Sequence, residues 1–316
     1  MKAMVIHRFG GADELRADTV ATPEPAPDEV LIAVAAAGVN PVDWKIREGM
    51  LEAMFPHQFP LIPGWDAAGR VASVGPGVQG FAVGDRVFAY CRKSVVQWGT
   101  YAEYVAMPAA AVAAMPPSLS FAEAATIPLA GLTSWQALFD DAGLKSGQSV
   151  LVLSGAGGTG SLAIPFAKQA GARVYAMASP ANHDYVRAHG ADDVLDYHLA
   201  DPIAEVRARE PDGVDVVYAN VGGDLHQRSY GALRRGGVLV SIVDPPDEAA
   251  AAAAGVKALF RFVEPDGAEL AEIARLIEQG IVRPPAITVM PLADAARAQA
   301  LNQEGHVRGK IVLEVT

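Results

Sequence analysis

Residues 150–160 read VLVLSGAGGTG, and no other segment limits the folds open to this chain as strongly. An aliphatic run ends at Ser154, and glycines follow at G-x-G-x-x-G spacing: Gly155, Gly157 and Gly160. Residues 161–170 have helical character. The order strand, glycine turn, helix turns a common spacing into the signature of a dinucleotide site rather than an ordinary glycine-rich turn. Gly155 permits the tight turn, Gly157 lets the backbone approach a pyrophosphate, and Gly160 lets the helix close on the strand. Ala156, Gly158 and Thr159 fill the motif and are read with it. Free N–H groups in the first helical turn, reinforced by the helix dipole, favour a phosphate there.

At 316 residues the chain exceeds the size at which one core keeps growing, so two domains are expected. No stretch of 18 or more uncharged apolar residues occurs, which leaves no candidate membrane span. The first residues lack the long apolar region of a secretory signal. Cys91 is the only cysteine, so no internal disulfide and no cysteine-rich zinc lobe is expected, which suits a cytoplasmic protein. A formal net charge of −11 without a strongly basic run argues against nucleic acid as a partner.

The first ~120 residues read as short strands broken by Gly and Pro, an irregular β domain. Strands are expected at 30–37, 69–74, 86–90 and 101–106. Helices are expected at 121–125 and 131–142. Strand and helix then alternate, with strands at 149–153, 173–177, 193–196, 214–219 and 238–243, and helices at 161–170, 182–189, 202–209 and 225–233. Near-continuous apolar strands spaced by helices imply an α/β, doubly wound parallel sheet covered on both faces. A further helix is read at 270–278. Residues 284–316 return to strands, 287–290 and 310–315, around a helix at 292–302, and rejoin the β-rich part. The expected domains are thus 1–120 with 284–316, and 121–283.

The strand at 173–177 should end beside the adenine ribose, where an acidic residue accepts from a 2′-hydroxyl and marks NAD. This chain has no acid there. Ser179, Asn182 and His183 instead offer a hydroxyl, an amide and an imidazole to a 2′-phosphate, which favours NADP; Ser179 and Asn182 also suit helix capping. No grouping of His, Cys and acid has metal-ligand spacing, and no G-x-S-x-G supports a serine hydrolase.

Six segments follow one another along the chain: AAGVNPVDWKIREG (36–49), PLIPGWDAAGRVASVGPGV (60–78), VGDRVFAY (83–90), GTYAEYV (99–105), IPLAGLTSWQAL (127–138) and GHVRGKIVL (305–313). In this order they resemble the medium-chain dehydrogenase/reductase superfamily, in its zinc-free NADPH:quinone oxidoreductase branch, over essentially the whole chain. The resemblance implies a GroES-like irregular β-barrel domain, a Rossmann domain, and an active site in the cleft between them. Zinc-dependent members carry a catalytic Cys, a His in Gly-His-Glu and a later Cys. The matching positions here are Asn40, Trp65 and about Ala130, which cannot supply a zinc ligand set.

The implied activity is hydride transfer from NADPH to a quinone or an α,β-unsaturated carbonyl. The alternatives are a zinc-dependent alcohol dehydrogenase and a non-catalytic NADPH-binding protein. The developing oxyanion needs a hydrogen-bond donor, and by resemblance Asn40 offers its side-chain amide. Asp43 and Lys45, in the same short segment, orient it or relay a proton, or else form an Asp–Lys pair that holds a loop. Thr133 matches a position near the nicotinamide, or is a helix-interior Thr. Tyr197 matches one beside the adenosine, or is a sheet-edge aromatic. Asn220, Val243, Phe260, Phe262 and Val263 fall at strand ends where the cofactor is expected. Trp44, Trp65, Tyr90 and Trp98 form either a pocket for a flat acceptor or core packing. Residues 256–263 form a strand that in relatives joins two sheets edge to edge, so a homodimer is expected unless the strand is internal.

Overall fold

The computed structural model describes residues 1–315. It separates into two units: Met1–Leu129 with Glu264–Gln279 and Pro284–Thr316, and Ala130–Val263 with Gly280–Arg283. Thr316, the last residue of the expected return segment, lies outside the described residues. The division corrects the expected boundaries in two places. The first unit runs past residue 120 through the helix Phe121–Ala124 to Leu129. It also takes the helix Gly267–Glu278, which pattern reading had left with the parallel sheet. That helix buries Leu270, Ile273, Leu276 and Ile277 on one face. Its first residue has to be small, because a Cβ on Gly267 would lie 2.6 Å from the carbonyl oxygens of Ala110 and Val112.

The first unit is built on a seven-stranded sheet. Its path runs Ile287–Pro291, Lys310–Glu314, Glu29–Gly38, Asp66–Val74, Arg86–Tyr90, Val112–Ala114, and Tyr104–Pro108 pairs off the long strand Glu29–Gly38. Glu29–Gly38 runs antiparallel to both of its path neighbours, with Gly38 opposite Val312 on one side and Asp66 on the other. The carboxyl end of the central strand therefore meets the amino ends of both neighbours at one corner. Bulges between Leu31 and Ile32 and between Val34 and Ala36 bend this pairing, as curved antiparallel sheets require.

The second unit holds a six-stranded parallel sheet in the order Asp193–Leu195, Arg173–Met177, Ser149–Val152, Val214–Ala219, Leu233–Ser241, Lys257–Phe260. The chain order reverses between Ser149–Val152 and Val214–Ala219, the switch point at which a doubly wound sheet opens a crevice beyond its carboxyl ends. Its apolar strands bury both faces: Val150, Leu151, Val152, Val217 and Tyr218 are fully inaccessible to solvent. The alanine run 249–254 is helical, within Glu248–Ala254, and Asp247 caps it by accepting from the N–H of Ala250.

Candidate active site

The segment Asn-Pro-Val-Asp begins a helix, Pro41–Arg47, where the sequence pattern assigns no element. The local reason is visible in the residues: proline is preorganised for the first helical position, and an acid three residues after an Asn is a helix-start signal. Asp43 closes one half of that signal, its Oδ2 accepting from the Asn40 backbone N–H at 2.8 Å. The Asn40 side chain does not cap the helix but turns inward, 3% exposed.

What it meets there comes from the two neighbouring strand starts. Asn40 Nδ2 donates to Asp66 Oδ2 at 2.8 Å. Lys310 Nζ donates to Asn40 Oδ1 and, at 2.9 Å, to Asp66 Oδ2. The three side chains close a ring of hydrogen bonds in which every pair is bonded. Asp66 Oδ1 also accepts from the Leu129 backbone N–H at 2.6 Å, at the start of the helix Pro128–Trp135, where a carboxylate is favoured by the helix dipole. Asp66 is fully buried and Lys310 nearly so.

Beside the ring, Asp43 Oδ2 also accepts from the Tyr101 hydroxyl at 2.8 Å, and both residues are fully buried. Burial pushes the Asp43 carboxyl up to about 7, against the opposing pull of the Asn40 and Tyr101 hydrogen bonds. Burial and the adjacent Asp43 raise the Tyr101 phenol well above its ordinary value.

The expected trio Asn40, Asp43 and Lys45 is thus only partly assembled. Asp43 orients Asn40 through its backbone. Lys45 is not the cation at Asn40; its Nζ lies over the Trp44 ring, 5.6 Å from the centroid. Lys310 holds that place, 270 positions from Asn40. The four aromatics do not form one wall. Trp65 and Tyr90 pack edge to face at 5.9 Å, are 4% and 0% exposed, and belong to the core of the first unit. Trp44 is half-buried on the helix Pro41–Arg47, and Trp98 is exposed at the end of the strand Val96–Trp98.

In the second unit the glycine turn stands at the switch point. A Cβ on Gly160 would fall 1.8 Å from the Ser154 carbonyl oxygen, so only glycine lets the helix Gly158–Gln169 lie this close to the strand end. At Gly157 a Cβ would find only Ser154 atoms, the nearest at 3.4 Å. This glycine is not required by packing, and its bareness keeps the backbone approachable. The first turn of the helix carries no acid. These features fit a pyrophosphate.

Asn220, at the end of the adjacent strand, grips the turn. Its Oδ1 accepts from the Ser154 N–H at 2.8 Å, and its Nδ2 donates to the Ser154 carbonyl at 3.0 Å and to Thr159 Oγ1 at 3.1 Å. Its side chain therefore shapes the phosphate loop. Ser134 Oγ supports the same loop by donating to the Thr159 carbonyl at 2.9 Å. Thr133, beside it on the helix Pro128–Trp135, is buried.

The remaining cofactor candidates gather at the carboxyl edge of the parallel sheet. Ser179 and Asn182 follow Arg173–Met177 and bond each other, Asn182 Nδ2 donating to Ser179 Oγ at 3.1 Å. His183 Nε2 donates to the Ala178 carbonyl at 3.1 Å, which fixes the proton on that nitrogen and turns it toward the backbone. Tyr197 follows Asp193–Leu195, is 38% exposed and lies against His198. Val243 follows Leu233–Ser241. Phe260 ends Lys257–Phe260 opposite Ser241, with Phe262 half-buried and Val263 buried just beyond.

Comparison with known proteins places this geometry. Residues 26–117 match the family model for the alcohol dehydrogenase GroES-like domain, and residues 189–313 match that for zinc-binding dehydrogenases. The chain is 34% identical to a chloroplast envelope quinone oxidoreductase homolog of Arabidopsis thaliana, over 96% of this chain and 95% of that protein. It belongs to the medium-chain dehydrogenase/reductase superfamily, in the quinone oxidoreductase branch. A chloroplastic NADPH-dependent alkenal/one oxidoreductase of the same plant is 35% identical over 99% of this chain and 79% of its own length. The crystal structure of an NAD-dependent alcohol dehydrogenase superimposes with a TM-score of 0.90 at 33% identity, covering both chains fully.

Membership in a superfamily with zinc enzymes raises the question of the metal. Among the described residues no group of three or more His, Cys, Asp or Glu is placed to hold an ion. The corner at Asn40 already contains the Lys310 ammonium, whose charge opposes a second cation. These residues do not fit a zinc ion.

Proposed function

We propose that this member of the superfamily uses NADPH to reduce quinones or α,β-unsaturated carbonyls, with no part for zinc. The observation that carries the reading is the Asn40–Asp66–Lys310 ring, which presents an oriented amide at the position where the family resemblance implies a cysteine ligand in zinc-dependent members. NADPH, when bound, supplies a hydride to the electron-poor carbon of the acceptor. The acceptor oxygen then gains negative charge, and the Asn40 amide N–H is the group that stabilises it. The N–H groups at the start of Gly158–Gln169 would hold the pyrophosphate, and Asn220 keeps the turn in shape for it. At the adenosine end the chain has Ser179 and Asn182 and no carboxylate immediately after Arg173–Met177. A 2′-phosphate therefore meets hydroxyl and amide groups, which favours NADPH over NADH. The names of the two plant relatives agree with this reading. The NAD-dependent alcohol dehydrogenase shares the fold, and fold alone does not fix the reaction.

We also read the chain as a cytoplasmic homodimer. Lys257–Phe260 is an edge strand of the parallel sheet, and Phe260 is 42% exposed, an edge that a second copy would cover. No helix among the described residues is long and apolar enough to cross a membrane, and the sole cysteine, Cys91, is buried and free. Sedimentation should give twice the chain mass.

The decisive experiment follows NADPH absorbance with purified protein across a panel of quinones, enones and enals, with metal content measured on the same sample. Turnover that survives chelation supports the reading. Saturable NADPH binding without oxidation of the cofactor by any acceptor would leave a binding protein. Stoichiometric zinc lost together with activity would restore the metal-dependent alternative.

A further inference from the structure

Asn40 stands at the N-cap position of Pro41–Arg47, where an Asn side chain ordinarily accepts from a backbone N–H of the first turn. Here it gives up that role, and its carboxamide is bonded at both ends inside the buried ring. Its oxygen faces an ammonium, from Lys310, and its nitrogen faces a carboxylate, from Asp66. Rotating the amide by a half-turn would set its N–H groups against the ammonium and its oxygen against the carboxylate. One orientation is therefore electrostatically enforced.

The stability of the corner does not require these charges. A buried ion pair is often replaceable by apolar residues of similar volume without loss of stability. What the pair adds is direction and polarisation. Hydrogen bonds in a chain strengthen one another, and a cation on the amide oxygen draws electron density from the nitrogen, making its N–H groups better donors. The ring uses one of the two Nδ2 hydrogens and leaves the other available.

We propose that Lys310 is a positioning residue for the reduction: an internal ammonium that fixes and polarises the Asn40 carboxamide, so that the remaining Nδ2 hydrogen meets the developing oxyanion. The inference rests on the reductase reading for its kinetic consequence, while the state of the amide is measurable without any substrate.

The test combines kinetics with side-chain amide exchange. Lys310→Met is assayed with NADPH and cyclohex-2-enone or 1,4-benzoquinone, alone and combined with Asn40→Ala. Lys310→Met should lower kcat about a hundredfold, the loss typical of a disabled oxyanion donor, with the NADPH Kd within twofold of wild type. Adding Asn40→Ala should cost almost nothing further, because both changes remove the same donor. Lys310→Arg should recover part of the rate. In wild type one Asn40 Nδ2 hydrogen should exchange slowly with solvent, and in Lys310→Met its exchange should accelerate at least tenfold.

If Lys310→Met does not fold with Asp66 left unpaired, Lys310→Met with Asp66→Asn removes both charges and carries the same expectations. Losses from the Lys310 and Asn40 changes that multiply overturn the proposal, as does free exchange of both amide hydrogens in wild type. Wild-type protein that oxidises NADPH with neither acceptor would sink the parent reading instead, while slow amide exchange would still stand for the ring.

Discussion

Lys310 Nζ lies 2.9 Å from Asp66 Oδ2, with 244 positions of chain between the two residues and both side chains buried. The pair exists because the strand Glu29–Gly38 ends where both of its antiparallel neighbours begin. Each neighbour contributes its first residue to one corner, and Asn40 completes the corner from the end of the central strand.

Removing one charge from that corner should cost far more than the pair contributes. Asp66→Ala strands the Lys310 ammonium and deprives Asn40 Nδ2 and the Leu129 N–H of their acceptor. A loss of about 3–5 kcal/mol is expected, read as a drop in the urea midpoint. A change under about 1 kcal/mol would mean that the ammonium reaches water.

The pH dependence of stability should carry the mark of Asp43. Its carboxyl is raised to about 7 by burial, against about 3.9 in an unfolded chain. Between those values the folded state holds a proton that the unfolded state has lost, so this group's contribution falls as pH rises from about 4 to 7 and levels off above. Asp43→Asn removes the titration. The melting temperature of wild type relative to Asp43→Asn should therefore decline across that window. A flat difference would place the Asp43 carboxyl outside it.

The two glycines of the turn should fail in different ways. Gly160→Ala drives a Cβ into the Ser154 carbonyl and should destabilise the second unit by about 3 kcal/mol or more, visible in thermal unfolding without ligand. Gly157→Ala should fold as wild type does and weaken NADPH binding at least tenfold, since its Cβ meets nothing closer than 3.4 Å in the protein. Equal melting temperatures for both variants would contradict the packing account.

Asn220→Ala removes three hydrogen bonds to Ser154 and Thr159 and leaves the Ser154 N–H without its partner. NADPH affinity should fall about tenfold, corresponding to about 1.4 kcal/mol, in a fluorescence titration. Because the residue shapes the loop, kcat at saturating cofactor should change little; a large fall in kcat with unchanged affinity would move Asn220 to the reacting end.

Cofactor choice is tested by comparing NADPH with NADH. The absence of an acid immediately after Arg173–Met177 predicts tighter NADPH binding. His183, with Nε2–H turned to Ala178, contributes little while neutral, so His183→Ala should leave the ratio of the two dissociation constants nearly unchanged. Ser179→Ala should reduce it. Equal constants for the two cofactors in wild type would remove the 2′-phosphate argument.

The sequence alone determined the parallel sheet, its glycine turn and the candidates along its carboxyl edge, because these depend on local order: apolar strand, small turn residues, helix, repeated along the chain. It also held the helix-start signal at Asn40 and Asp43, overlooked because the segment is short. What only the tertiary structure decided is the company Asn40 keeps. Spacing along the chain points to Lys45, two residues from Asp43, whereas the cation at Asn40 is Lys310, brought there by antiparallel pairing. For Trp65 and Tyr90 the sequence leaves pocket and core packing both open, and the fold makes them core residues. Helical and strand periodicities report neighbours a few residues apart, while a buried ring of three side chains is set by which strand ends meet, and that depends on the register of the whole sheet.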